Sequence, residues 1–230
     1  MNAMLLAAGR GERMRPLTDH CPKPLLTVAG RTLLDWHLQR LAAAGYARVV
    51  INIAWLGALI RQHLNHHAPA GLDIRLVDEG DQALETAGGI AHALPLLGAE
   101  PFVVVNADVW SDFDLATLPA APEGLGHLVL ADNPAHHPAG DFRLEADSVR
   151  IDGPGRRLTF TGIGCYRPEL FAGVGHAVAA LAPLLRRAAE RRQLTGEYYP
   201  GAWYDIGTPA RLAALDARLS GARDRPESAP

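Results

Sequence analysis

"MLLAAGRGERMRPLTDHCPKPLL", residues 4–26, starts as a buried strand and then turns polar. Two glycines, three arginines and a lysine set between prolines follow the apolar run. Gly9 and Gly11 sit where main-chain amides just past a strand can turn inward and cradle phosphate oxygens. Arg13 and Arg15 offer planar, charge-assisted donors suited to phosphate. Lys23 leaves a stiff Pro-Lys-Pro segment whose prolines fix φ, which suggests a flexible cation on the outer jaw of a phosphate clamp. Taken alone, the stretch is accounted for better by a glycine turn with solvated cations. No third glycine completes a dinucleotide fingerprint, and no Gly-Lys-Ser or Gly-Lys-Thr completes a P-loop.

Outward from this stretch, short apolar runs alternate with helical patterns. Residues 3–7 read as the first strand, and Leu34, Leu38 and Leu41 recur at helical spacing before Gly45. Further strands are expected at 47–55, 72–79, 101–108 and 126–132, with helices at "IRQHLNHH" and over 86–97. That order predicts an α/β fold, a Rossmann-like open and mostly parallel sheet with helices on both faces. After residue 132 the pattern changes, and a small inserted β region is expected. "FRLEADSVRI" reads as a hairpin and "LTFTGIGCYRP" as an edge or inserted strand. A stripe of Leu181, Leu184, Leu185 and Ala188 predicts a helix, "EYYPGAWYDIG" one strand, and Thr208-Pro209 the start of a last helix.

The chain has 230 residues, 48% of them hydrophobic and 20% charged, which suits one α/β domain over 1–220. Residues 221–230 lack an apolar anchor and are expected to be a disordered tail. A formal net charge of −3 argues against a nucleic-acid partner held by bulk electrostatics. No apolar run has the length of a membrane span, and no signal peptide is visible, so a cytoplasmic location without membrane association is expected. No protein partner is evident. Cys21 and Cys165 alone form neither a disulfide framework nor a zinc site.

Two aspartates stand where ligands gather. Asp108 lies just past the carboxyl end of "FVVVN", the edge of an open parallel sheet at which ligands bind. Asp205 ends "AWYD" before a tight turn, and the two together could hold a hard cation such as Mg²⁺ beside phosphates. A turn cap explains either one singly. Asp112 and Asp114 read as first-turn residues. In "EGDQALETAGG" (79–89), Glu79, Glu85 and Thr86 could hydrogen-bond a base or sugar, while Gly88 and Gly89 permit close backbone approach. Among ten histidines, His66-His67 and His136-His137 are adjacent pairs without zinc-site spacing and read as surface loops.

Three motifs in order resemble the sugar-1-phosphate nucleotidyltransferases: "LAAGRGERMRPLTDHCPKPLL", "NADV" and "WYDIGTP". The resemblance spans residues 4–209 and implies the nucleotide-diphospho-sugar transferase fold. It implies that Leu6, Ala7, Ala8, Gly9, Gly11, Glu12 and Arg13 hold the nucleotide, with Glu79, Thr86 and Gly88 also meeting it. Arg13, Lys23 and Asp108 are the implied catalytic residues, and Asp108 and Asp205 the implied Mg²⁺ ligands. Asn106, Gly140, Asp141 and Gly162 fall near the sugar by the same resemblance. Within the family, "INIAWLG", "LETAGGI" and "LVLADNPAHHPAGDFRL" are most similar to bacterial uridylyltransferases. UTP and N-acetylmuramic acid α-1-phosphate are then the implied substrates. Many relatives place a glutamine in the base-reading region, where this chain offers Glu79 and a shifted Gln82.

The muramyl lactate group would ask for a cation or hydrogen-bond donors near the sugar, and Arg143, His136 and His137 are close in sequence. Guanylyl transfer to mannose-1-phosphate, or thymidylyl or uridylyl transfer to glucose-1-phosphate, uses the same residue types. A non-catalytic nucleotide-sugar sensor is the alternative of another class.

Overall fold

Strand β1 (Asn2–Leu6), the apolar start of the opening stretch, lies inside a nine-stranded sheet. The computed structural model describes residues 1–80, 83–175 and 177–223. Three 3-10 turns follow β1 at Glu12–Met14, Leu17–Asp19 and Lys23–Leu25, and then come β2 (Thr27–Val28) and β3 (Arg31–Thr32). Next are α1 (Leu33–Ala43), β4 (Arg48–Ile53), α2 (Gly57–His67), β5 (Asp73–Asp78), α3 (Glu85–Leu97) and β6 (Phe102–Asn106). The chain continues through β7 (Val109–Ser111), β8 (Gly126–Ala131), β9 (Phe142–Glu145), β10 (Ser148–Arg150) and β11 (Arg156–Tyr166). It closes with α4 (Leu181–Glu190), β12 (Leu194–Tyr198), β13 (Trp203–Asp205) and α5 (Pro209–Arg223).

The sheet runs β5-β4-β1-β6-β11-β8-β12-β10-β9. Pairing is parallel from β5 to β6 and between β8 and β12, but β11 runs antiparallel to both β6 and β8. The sheet is therefore mixed, and parallel only in part. Alternate side chains separate two cores, as the two-residue period of a strand requires. Ala3, Leu5, Ile51 and Val105 meet α1 and α2 on one face, while Met4, Val50 and Val104 meet α3 and α4 on the other. Burying Leu34, Leu38 and Leu41 contributes about 1.5–3 kcal/mol per side chain before chain entropy is counted.

Four expectations change. β11 is no edge strand: its first residues pair with β9 and its last with β6, so it joins the two parts of the sheet. "EYYPGAWYDIG" holds parts of two strands, because Pro200 and Gly201 end the pairing of β12 with β8 before β13 pairs with β7. His66 and His67 lie in the last turn of α2 and not in a loop, with His67 stacked on His63. Helix α5 reaches Arg223, so the expected tail begins within a helix, and residues 224–230 lie outside the described residues.

A third core cluster sits to one side of the sheet. Met14 from the first 3-10 turn packs with Val28, Ile206 and Leu215 of α5. The main-chain N–H of Ala29 donates to Asp216 Oδ1 at 2.7 Å, fastening the same region. The polar half of the opening stretch is thus held by residues near the far end of the sequence.

Candidate active site

β1 has β4 on one side and β6 on the other, so successive connections leave it in opposite directions. Such a switch point opens a crevice at the carboxyl ends of the strands. Leu6 stands in register with both Asn52 and Asn106 there. A cavity of about 420 Å³ occupies this place. Leu6, Ala7, Ala8, Gly9, Gly11 and Glu12 line it on one side, with Arg13 and Lys23. Glu79, Thr86, Asn106 and Asp108 are further sequence-derived residues in its wall.

Gly11 has φ +67, and a β-carbon there would approach Thr18 Cγ2 to 3.0 Å. Glycine is needed both for the left-handed turn and for room beside Thr18 and Lys23. A β-carbon on Gly9 would meet no protein atom within 4 Å, so its glycine leaves space at the cavity wall. Of the three arginines, only Arg13 lines the cavity. Arg15 pairs with Asp19 at 2.6 Å, and Arg10 stacks over Trp55. Lys23 is not on an outer jaw. Its side chain is 10% exposed, and Nζ reaches Asp108 Oδ2 at 2.7 Å.

Asn52, overlooked in the sequence, holds the floor. The Ala7 N–H donates to Asn52 Oδ1 at 2.8 Å, and Asn52 Nδ2 donates to Glu79 Oε1 at 2.7 Å. Glu79 Oε2 accepts from the Leu84 N–H, so both its oxygens have protein partners. A polar residue inside "VVINI" was the available signal, because a buried amide in an apolar strand requires partners. Glu85 and Gly207 also line this cavity. Gln82 lies outside the described residues. Gly88 is buried in α3, where a β-carbon would come within 2.4 Å of the Ala177 carbonyl oxygen, so main chain fills that side.

Asp205 is not part of the cavity wall. The Ile206 N–H donates to the Asp108 carbonyl at 2.8 Å, which sets the two aspartate-bearing segments side by side. The Asp205 carboxylate is held by Arg211 and by His136, whose Nε2 is 3.0 Å from Oδ1. These partners also escaped the sequence reading. Among the described residues no cluster of three or more His, Cys, Asp or Glu could hold a metal ion. Asp108 and Asp205 still present hard oxygen donors on adjoining segments, and among the described residues the Asp108 carboxylate bonds only through Oδ2.

A second cavity, about 260 Å³, shares Thr86 and Asn106 with the first. Asp141 lines it, with Oδ2 accepting from the Phe160 N–H at 2.9 Å and Oδ1 3.1 Å from His137 Nε2. Gly162 backs onto Asn106: its φ is +79, and a β-carbon would lie 2.7 Å from Asn106 Nδ2. Gly140, at φ +62, packs against Asn133 and the Leu158 carbonyl. Neither glycine lines either of these two cavities, but each shapes a segment that does. Beneath the first cavity, burial pushes the His37 pKa from 6.5 down to about 4, with the charge of Arg40 adding to the drop. The main chain of Val109 and Ala107 and the Asp108 carboxylate oppose that shift without overcoming it.

A family model described as nucleotidyl transferase matches residues 2–129, more than half of the chain. This chain belongs to that nucleotidyl transferase family. It is 51% identical to N-acetylmuramate alpha-1-phosphate uridylyltransferase of Neisseria meningitidis serogroup B, over 96% of this chain and 99% of the relative. The protein of the same name from Caulobacter vibrioides is 39% identical, over 95% and 96% of the two chains. A solved UDP-glucose pyrophosphorylase complexed with UDP-glucose shares the fold, with TM-score 0.76, 16% identity and coverage of 96% and 99%. Membership in the family matches the expected nucleotide-diphospho-sugar transferase architecture. No helix among the described residues is long and apolar enough to cross a membrane.

Proposed function

We propose that this chain transfers a uridylyl group from UTP to N-acetylmuramic acid α-1-phosphate, giving the UDP-sugar and pyrophosphate. The observation that carries the reading is the pair of adjoining cavities. One is lined by the glycine loop, Arg13 and the Lys23–Asp108 pair, and the other opens beyond Thr86 and Asn106. Two anionic substrates can meet across that boundary. The 51% identity along nearly the whole chain supports the choice of base and sugar.

In the reaction, an oxygen of the sugar phosphate attacks the α-phosphorus of UTP as the bond to the β-phosphate oxygen breaks. A phosphate monoester has a second pKa of about 6, so the nucleophile is already ionised at pH 7 and no general base is required. The protein's work is to bring anions together and stabilise growing charge. Amides of the glycine loop cradle phosphate oxygens, Arg13 supplies a fork of donors, and Lys23 neutralises charge at the reacting centre. Mg²⁺ held by Asp108 and Asp205 would polarise phosphoryl oxygens. Asp205 would then exchange a partner, because Arg211 and His136 occupy its oxygens.

Pyrophosphate release from each nucleoside triphosphate against a panel of sugar-1-phosphates tests the reading. UTP with the muramyl phosphate should give the highest kcat/KM, and Asp108→Ala should abolish it. Preference for GTP with mannose-1-phosphate would replace this reading with the guanylyl one. UDP-sugar binding without turnover by any pair would leave a sensor.

A further inference from the structure

We infer that Arg186, on α4, receives the lactyl carboxylate of the acceptor sugar and so sets the enzyme's preference for an acidic sugar phosphate. The inference rests on the uridylyltransferase reading above. The second cavity has an apolar wall of Phe142, Phe160, Leu181 and Leu185, suited to a sugar face and an acetyl methyl group. Its two charged residues are Asp141 and Arg186. The Asp141 carboxylate is engaged by the Phe160 N–H and His137. Arg186 has neither a hydrogen bond nor an ion pair among the described residues.

The geometry of α4 explains how a cation comes to this wall. Ala182 and Arg186 are four residues apart and share a helix face, and both line the cavity. Leu181 and Leu185, the neighbouring pair, are buried and anchor the helix against the core. The other basic candidates are committed elsewhere. Arg143 Nη1 donates to the Gly155 carbonyl at 2.9 Å, His136 pairs with Asp205, and His137 pairs with Asp141. A sugar phosphate without the lactyl group offers Arg186 no carboxylate in this cavity. A carboxylate on the 3-oxygen of the sugar would gain a charge-assisted, potentially bidentate partner.

The test compares two acceptors with UTP: N-acetylmuramic acid 1-phosphate and N-acetylglucosamine 1-phosphate, which lacks only the lactyl ether. Wild-type protein should favour the acidic acceptor. Arg186→Ala should lower kcat/KM for it by about ten- to a hundredfold, the range for one hydrogen bond to a charged group, and leave the acceptor without the lactyl group and the KM for UTP unchanged. Arg186→Lys should retain part of the preference. Equal losses on both acceptors, or an intact preference in Arg186→Ala, would overturn the inference while leaving the uridylyl reading in place. A wild-type enzyme that turns over neither acceptor would remove both.

Discussion

Asn52 connects two parts of the site with one amide. Its oxygen takes the Ala7 N–H and its nitrogen serves Glu79, and the residue is 3% exposed. Replacing it with alanine leaves a buried N–H and one Glu79 oxygen without those partners. Asn52→Ala should therefore cost about 1–3 kcal/mol in urea unfolding, the usual penalty for an unsatisfied buried polar group. Activity should fall as well, since Ala7 and Glu79 both line the cavity. Residues such as Gly11, Lys23 and Asp108 were legible in the sequence because their chemistry is local: a turn, a stiff segment, a strand end. Asn52, Arg186 and Arg211 were not, because their meaning depends on which distant segment each one faces. Arg15 shows the converse, an arginine within the motif that is taken by its helical-turn neighbour Asp19.

Strand β11 is the element that determines how the two cavities adjoin. Its register against β8 shifts between Phe160 and Gly164, and Gly162 sits within that shift. Phe160 lines the second cavity on one side of the irregularity, while Gly164 pairs with Val104 of β6 on the other. Gly162→Ala would force a side chain into a positive-φ position and against Asn106. The left-handed backbone alone costs an L-residue about 1–2 kcal/mol, and the contact adds to it. Denaturant unfolding should show at least that loss, and KM for the sugar phosphate should rise as Asn106 is displaced. Alternating residues in "LTFTGIGCYRP" made a strand readable, but its central position was not, since an antiparallel partner chosen across 58 or more residues leaves no local signature.

At the scale of the molecule, apolar strand and helix periods were enough to predict the doubly covered sheet, whereas the long-range pairings decided its mixed direction. His37 gives that assembled core a measurable pH signature. Its folded pKa is about 4 against 6.5 for an unperturbed histidine, so the unfolded chain binds the extra proton first. Stability is then intact above pH 6.5 and falls as pH drops toward 4. The contribution is on the order of 3 kcal/mol by linkage, and His37→Gln should flatten the fall in urea midpoints measured across that window. An unchanged slope in the variant would assign the acid sensitivity to other groups.

The packing of Met14 against Ile206 and Leu215 also has a consequence in time. A ribosome makes the glycine loop nearly two hundred residues before the helix that braces it. Strands β5, β4, β1 and β6 can pair on a growing chain well before then. The glycine loop gains this support only once α5 has emerged, so the cavity it lines is completed after those strands have paired.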